Sequence, residues 1–223
     1  MKPLFPWTRA AVAAAAVMLS GCVIVPPLLV GGAVVGGGMV ATDRRTAGTQ
    51  LEDQGIEFRA AARVRELATL GQISVNSYNR VVLLTGEVPS PVERARVEEA
   101  VSKVENVRGV VNELVVAGNS SLSSRSADTV LATKVKATLV DAKDLSANAF
   151  KVVAERRVVF LLGRVTPREA ERGAELASRV SGVERVVKVF ETITEAQLAA
   201  ETAPMRSGTQ APAPVSSASA PGR

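Results

Sequence analysis

Hydrophobic and polar positions follow the same order twice along the chain. The segment 79–116 aligns with the segment 156–193 over a whole structural unit. In each copy a short apolar run rich in β-branched residues, at 81–85 and at 158–162, predicts a buried strand that ends at a glycine. The match indicates an internal duplication.

The signals of a helix N-terminus follow each of these strands. Ser90-Pro91 and Thr166-Pro167 supply an N-cap residue and a proline at the first helical position, and a glutamate lies three residues after each cap. Apolar residues then recur at helical spacing, which predicts one buried face on each helix. Asn106 and Gly182 come next, and both residue types tolerate the left-handed backbone that ends helices.

One more helix and two more strands complete each copy. The helices are predicted at about 55–70 and 128–140, the first strands at 73–78 and 150–155, and the closing strands at 110–116 and 186–193. The order is helix, strand, strand, helix, strand. We therefore expect an α+β fold of two tandem domains, each a three-stranded mixed sheet packed against two helices.

The same pattern divides the chain into six segments. Two domains are joined by a small-polar linker, and the Ala/Pro/Ser composition of the C-terminal tail predicts disorder. The expected segments are a signal peptide (1–21), an apolar Gly/Pro-rich tether (22–47), the first domain (48–117), the linker (118–126), the second domain (127–196) and the tail (197–223).

The N-terminal apolar pattern has the features of a lipoprotein leader. Lys2 and Arg9 precede an apolar run at 10–19, which is too short to span a bilayer. The run ends in Leu19-Ser20-Gly21-Cys22, which resembles the bacterial lipobox, where the cysteine is acylated and the leader is cut before it. This resemblance makes Cys22 the lipidation site. The alternatives are a plain secreted protein with a buried cysteine and an uncleaved anchor.

Residues 23–41 carry no charge and are open to two interpretations. Pro26-Pro27 and five glycines disfavour a regular helix, because an interior proline costs about 3 kcal/mol and each glycine about 1 kcal/mol. We interpret the segment as an apolar tether, with a membrane-spanning segment as the alternative. Val23 stands where an aspartate tends to retain lipoproteins in the inner membrane, so the resemblance implies the periplasmic face of the outer membrane.

Composition narrows the possible chemistry. The chain has no histidine and one cysteine, which excludes zinc sites made of those ligands and Ser-His or Cys-His nucleophile pairs. We interpret the carboxylates at Glu98-Glu99 and at Asp141 and Asp144 as surface charge, with an envelope hydrolase as the alternative. We expect no enzyme activity, no metal and no cofactor. The small net charge of +5 and the 3% of aromatic residues also argue against nucleic-acid binding.

Several passages resemble a known family, the BON domain. The apolar strand ending in glycine, the capped helix and the "RVSGVERV" turn at 179–186 carry the likeness. The lipobox, "ATDRRTAGTQLEDQ" at 41–54 and "ADTVLATKVKATL" at 127–139 extend it to the two-BON-domain outer-membrane lipoproteins of proteobacteria. The resemblance implies a non-enzymatic protein that binds anionic phospholipid such as cardiolipin or phosphatidylglycerol, supports outer-membrane integrity and concentrates at division sites.

Charge favours the second copy as the lipid-binding one. Residues 48–117 contain 8 basic and 10 acidic residues, whereas residues 122–199 contain 13 basic and 10 acidic residues. Basic residues near an anionic membrane contribute about 1 kcal/mol each. In the first helix of the second copy, a buried stripe is predicted at Leu131, Val135 and Leu139. The candidate phospholipid-binding residues lie off that stripe: Val130, Lys134, Lys136 and Lys143.

Three alternatives stay open. The lysines are also consistent with the solvated face of an amphipathic helix, and Val130 stands where an interfacial Trp would favour docking. A second basic group is formed by Arg156-Arg157, Arg164 and Arg168. Finally, a periplasmic adaptor would bind envelope proteins, such as the outer-membrane assembly machinery or activators of cell-wall amidases, with no lipid recognition beyond its anchor.

Overall fold

The computed structural model describes residues 43–67 and 70–202. The predicted signal peptide, Cys22 with the tether up to residue 42, and the tail from residue 203 lie outside the described residues. The expected α+β order of elements is confirmed. The first domain contains α1 (Ala47–Glu66), β1 (Gln72–Tyr78), β2 (Val81–Val88), α2 (Pro91–Ser102), β3 (Gly109–Asn112) and β4 (Val115–Val116). The second contains α3 (Leu122–Asp141), β5 (Phe150–Glu155), β6 (Val158–Val165), α4 (Pro167–Ser178) and β7 (Arg185–Thr192), and is followed by α5 (Glu195–Thr202).

Each domain forms one mixed sheet around its middle strand. β2 pairs antiparallel with β1 and parallel with β3 and β4, and β6 pairs antiparallel with β5 and parallel with β7. Two helices cover one face of each sheet, and the apolar core lies between them. The stripe predicted on α3 is confirmed, since Leu131, Val135 and Leu139 are all buried against the sheet.

The first helix of each domain begins earlier than expected. The side chains of Thr46 and Ser121 each accept a hydrogen bond from a backbone N–H three residues later, at 3.1 Å, and so cap helices that start at Ala47 and Leu122. Residues 122–126, expected in the linker, are therefore helical.

The predicted tail also begins with ordered backbone. Residues 197–202 belong to α5, because the Thr194 hydroxyl accepts a hydrogen bond from the backbone N–H of Gln197 and the backbone carbonyl of Thr194 accepts one from Leu198. Disorder was wrong for these residues, where a local cap outweighs the composition of the segment.

The glycines predicted to end the middle strands lie inside them instead. A Cβ at Gly86 would lie 2.0 Å from the carbonyl oxygen of Gln72, and one at Gly163 would lie 2.4 Å from that of Ala149. Glycine here permits a close approach to the neighbouring strand, and β2 and β6 each continue for two more residues.

The closing strand of the first domain, expected as one run, is divided into β3 and β4. The chain turns the buried side chain of Leu114 into the core between the two strands. The side-chain oxygen of Asn112 accepts a hydrogen bond from the backbone N–H of Leu114, and this local bond replaces part of the strand ladder.

A buried aspartate on the first helix of each domain holds the turn between the first two strands. Both central residues of each turn have positive φ, at 48° and 68° in the first domain and at 51° and 65° in the second. Asp53 accepts hydrogen bonds from the backbone N–H groups of both central residues at 2.8 Å, and Asp128 does the same at 2.9 and 3.0 Å. The carboxylates thereby stabilise a backbone conformation that side-chain-bearing residues rarely adopt.

The two sheets pack against each other through the faces that the helices leave uncovered. Tyr78 and Leu83 of the first domain form one apolar cluster with Phe160 and Leu162 of the second. The turn of the second domain reaches the end of β2, where Arg156 Nη1 lies 3.2 Å from the fully buried Glu87. The described residues of the two domains therefore form a four-layered sandwich with helices on both outer sides.

Replacing Asp128 by alanine should destabilise the fold, because the N–H groups of Arg156 and Arg157 would lose their acceptor at strained φ values. We expect a loss of about 3 kcal/mol in the free energy of unfolding, measured by urea denaturation. Asp141→Ala, on the exposed surface of the same helix, is the matched control and should change stability by less than about 0.5 kcal/mol. Equal midpoints for both variants would contradict the role of Asp128.

Candidate functional site

The predicted phospholipid-binding residues lie on or directly after α3, whose outward side carries no charge. Six exposed residues at helical spacing form this surface, which we call the outer stripe: Leu122, Ser126, Val130, Thr133, Ala137 and Val140. The large members are strongly exposed, at 76% for Leu122, 54% for Val130 and 61% for Val140. The outer stripe faces away from the buried stripe, so α3 is apolar on its inner side and uncharged, with three large exposed apolar residues, on its outer side.

Two of the three predicted lysines are free cations beside this surface. Lys134 and Lys143 are exposed, and within the described part of the chain their ammonium groups make no recorded hydrogen bond or ion pair. Lys134 lies one turn after Val130, and Lys143 follows the C-terminal end of the helix. The two lysines are nine positions apart in the sequence, so they lie near the middle of the outer stripe and just beyond its end.

The third lysine is built into the second domain. Lys136 is partly buried, and its Nζ donates hydrogen bonds to the backbone carbonyls of Ala147 at 2.6 Å and Phe150 at 2.9 Å. Burial lowers the pKa of the Lys136 ammonium, and the negative charge of Asp43 offsets only part of this effect. Lys136 therefore braces the segment between α3 and β5, and its charge is less available to a ligand than that of Lys134.

A groove of about 420 Å³ joins the outer stripe to the turn before β7. Val130 and Lys134 line it from the helix, and Arg157 and Gly182 line it from the opposite side. The sequence placed Arg157 in a separate basic group, and only the tertiary structure brings it next to Lys134. Its guanidinium pairs with Glu184 at 2.8 Å on an exposed surface, which is a weak interaction in water.

The other members of that basic group are already paired. Arg156 contacts Glu87, Arg164 contacts Glu191 at 3.0 Å and Glu201 at 2.7 Å, and Arg168 lies 3.9 Å from Glu195. Two acidic groups near α3 are also occupied, since Asp128 accepts from the turn and Asp144 accepts from Arg172 at 2.9 Å, whereas Asp141 is exposed at the C-terminal end of the helix. Among the described residues of the second domain, Lys134 and Lys143 are the exposed cations without a carboxylate partner.

One carboxylate resembles a catalytic group in its surroundings. Burial raises the pKa of Glu155, and the neighbouring charges of Glu87 and Asp128 raise it further. Glu155 lines an interdomain groove of about 440 Å³ with Arg156 and Arg157. Its acidic neighbour Glu87 is held by Arg156, so the geometry is that of an ion pair between domains in which the carboxylate is buried and the guanidinium is partly exposed.

The described residues carry neither a metal site nor a membrane-crossing helix. No group of three or more His, Cys, Asp or Glu side chains in this part of the chain is arranged to hold a metal ion. Over the same residues, no helix is both long and apolar enough to cross a bilayer.

Comparison with known proteins identifies the class. Residues 53–118 and 127–194 each match the BON domain. These two ranges cover more than half of the chain, so the protein belongs to the BON-domain family.

Individual relatives in sequence place the protein more narrowly within the family. The outer membrane lipoprotein DolP of Haemophilus influenzae is 40% identical over 154 residues, which are 68% of this chain and 80% of the relative. A 21 kDa hemolysin of Actinobacillus pleuropneumoniae is 32% identical over 151 residues, 66% of this chain and 78% of the relative. An uncharacterized protein in the gshII 5′ region of Anaplasma centrale is 25% identical over 139 residues, 61% of this chain and 92% of the relative.

The similarity to DolP confirms the resemblance to two-BON-domain outer-membrane lipoproteins. The protein is accordingly located at the outer membrane and held there by a lipid anchor. The acylation of Cys22 itself stays a prediction, because this residue lies outside the described part of the chain.

Lys136→Met should lower the free energy of unfolding by about 1 kcal/mol, because two carbonyl oxygens lose their shared donor. Lys134→Met removes the same charge from an exposed position and should change stability by less than about 0.5 kcal/mol. Urea denaturation of both variants measures the difference. Equal stabilities of the two variants would contradict the bracing role of Lys136 and make it a freely available cation like Lys134.

Proposed function

We propose that this outer-membrane lipoprotein binds anionic phospholipid through the outer stripe of α3, with Lys134 and Lys143 as the main headgroup contacts. The observation that carries the proposal is the combination of an exposed, uncharged helix face with two unpaired lysines at its side. Val130 and Lys136 complete the predicted set, Val130 as the apolar contact in the middle of the face and Lys136 as a brace that adds charge at short range.

Each contact on this surface contributes little free energy of binding, but together the contacts suffice to dock a protein that is already anchored. Each basic residue near an anionic leaflet contributes about 1 kcal/mol. The exposed parts of Leu122, Val130 and Val140 gain further free energy when they leave water, at roughly 25 cal/mol for each Å² of apolar surface. Because the lipid anchor keeps the domain close to the membrane, even weak affinity suffices for occupancy.

We infer that such docking serves outer-membrane integrity and, following the resemblance, enrichment at division sites. Anionic lipids such as cardiolipin and phosphatidylglycerol are the proposed ligands. We further infer that the protein is not an enzyme, since Glu87 is held by Arg156 at the contact between domains and Glu155 lies beside this pair. Absence of hydrolysis by the purified protein on peptidoglycan or phospholipid is the expected result.

A second candidate function is that of a periplasmic adaptor for envelope proteins. The observation that favours it is an exposed apolar surface on the other outer layer, where Leu51 and Phe58 of α1 are 70% and 73% exposed. The outer-membrane assembly machinery and activators of cell-wall amidases are the proposed partners. In this case α1 would carry the interaction, and charge reversal on α3 would leave capture of the partner intact.

Co-sedimentation of residues 42–223 with vesicles tests lipid binding without the anchor. Vesicles that contain cardiolipin or phosphatidylglycerol are compared with zwitterionic vesicles at low and high salt. We expect binding that requires anionic lipid and falls as salt rises. Lys134→Glu/Lys143→Glu should weaken it at least tenfold, because two attractive charges become repulsive. Val130→Trp should strengthen it, because Trp favours the membrane interface.

The matched control reverses two exposed charges on the first domain. Arg96→Glu/Lys103→Glu changes the net charge by the same amount on α2, away from the outer stripe, and should leave binding within about twofold of the parent protein. No sedimentation of the parent protein with anionic vesicles at low salt would refute lipid recognition and leave the adaptor as the function to pursue. Equal losses in both double variants would point to net charge alone.

A further inference from the structure

A short segment just before α1 is fastened to both domains. We call its three residues, Asp43, Arg44 and Arg45, the clamp. Arg45 holds the clamp to the first domain, where its Nη1 lies 2.7 Å from the buried Asp53 and its guanidinium carbon lies 4.2 Å from the centre of the Tyr78 ring. Asp43 accepts hydrogen bonds from the Nε and Nη2 atoms of Arg45, which closes the segment on itself.

Arg44 holds the clamp to the second domain. Its two terminal nitrogens bind the two carboxylate oxygens of Glu169 at 2.7 Å each, and Nη1 also donates to the backbone carbonyl of Arg164 at 3.0 Å. The side chains of Arg44 and Glu169 are only 11% and 4% exposed. A bidentate pair this deeply buried is directional and resists screening by salt.

Glu169 has a second role that keeps its position fixed. It is the glutamate of the capping box of α4, where it accepts a hydrogen bond from the backbone N–H of Thr166 at 3.0 Å. Burial alone would raise the pKa of Glu169, but the hydrogen bonds from Arg44 and Thr166 outweigh it and lower the pKa below its ordinary value. Arg44 therefore binds a carboxylate that is ionised and already held by the helix end.

The clamp lies beside the outer stripe of α3. Asp43 and Arg45 line a groove of about 950 Å³ together with Thr133, Ala137 and Val140, which all belong to the outer stripe. By contrast, α1 begins at Ala47 and packs in the outer layer of the other domain. The anchor-side chain, which is the part of the polypeptide that precedes the clamp, therefore starts beside α3 and not in the layer of α1.

We propose that Arg44 and Arg45 are positioning residues that direct the anchor-side chain to the α3 side, so that the outer stripe faces the membrane holding the anchor. The inference rests on the proposed lipid docking of α3. The 20 residues from Val23 to Thr42 span at most about 70 Å, which exceeds the thickness of the sandwich, so the anchor by itself selects no face. The point of attachment then sets the effective concentration of the outer stripe at the bilayer.

The test uses the full lipid-anchored chain with Thr133→Cys as a reporter. Cys22 is the sole cysteine of the chain, so after its acylation the reporter is the only free thiol. The chain is inserted in vesicles containing phosphatidylglycerol, and a membrane-impermeant maleimide measures how fast the reporter is labelled. Arg44→Ala/Glu169→Gln removes the ion pair without leaving a buried charge, and glutamine still serves a capping box. Thermal unfolding verifies that the variant is folded.

We expect the variant to be labelled about three times faster than the parent when anchored, and anchor-free forms of both to bind the vesicles equally. Arg44→Lys, which keeps the charge and loses the bidentate geometry, should be intermediate. Equal protection of the reporter in parent and variant would overturn the positioning role while lipid docking stands. If the anchor-free variant also lost vesicle binding, to the same extent as the anchored variant lost protection of its reporter, the positioning role would be overturned in favour of a structural role. An unprotected reporter in the parent would overturn docking and positioning together.

Discussion

Each sheet of this protein has two apolar faces, and the need to cover the second one underlies the whole arrangement. Helices cover only one face, as the cores around Val82 and Val159 show. The opposite faces carry Leu83, Phe160 and Leu162, which are almost completely buried because the two sheets lie against each other. Burying three such side chains contributes several kcal/mol, at roughly 2 kcal/mol each. Neither domain alone has anything to cover this surface.

The layering that results decides which surfaces remain for function. Both pairs of helices lie outermost, and α1 and α3 therefore turn their outer sides in opposite directions. A flat bilayer contacts only one of these sides at a time, so an α3 docked as proposed would leave α1 facing the periplasm. The exposed Leu51 and Phe58 on α1 are consistent with a protein contact on the side that a docked α3 leaves free.

Ion pairs distribute the positive charge unevenly among the arginines and lysines. Arg44, Arg45, Lys151 and Arg156 bind carboxylates at the contact between domains or close to it, with Lys151 Nζ only 2.5 Å from Glu57 Oε1. The two buried pairs, Arg44 with Glu169 and Arg45 with Asp53, are costly to break because the remaining partner keeps an uncompensated charge. Among the described residues of the second domain, the exposed cations left without a carboxylate partner are Lys134 and Lys143, far fewer than its basic composition suggests.

Local signals in the sequence determined the repeat, the caps, the helix ends and the alternation of strands and helices. Ser90, Thr166, Asn106 and Gly182 act within a few residues of their own position, so their roles are visible without the fold. The buried stripe of α3 was visible for the same reason. Tertiary structure alone decided which lysines are free, why Gly86 and Gly163 lie inside strands, and where Arg44 binds, since these depend on atoms as many as 125 residues apart in the chain. Periodicity shows which side of an element is buried, whereas the partner that buries it is set by how the two domains pack.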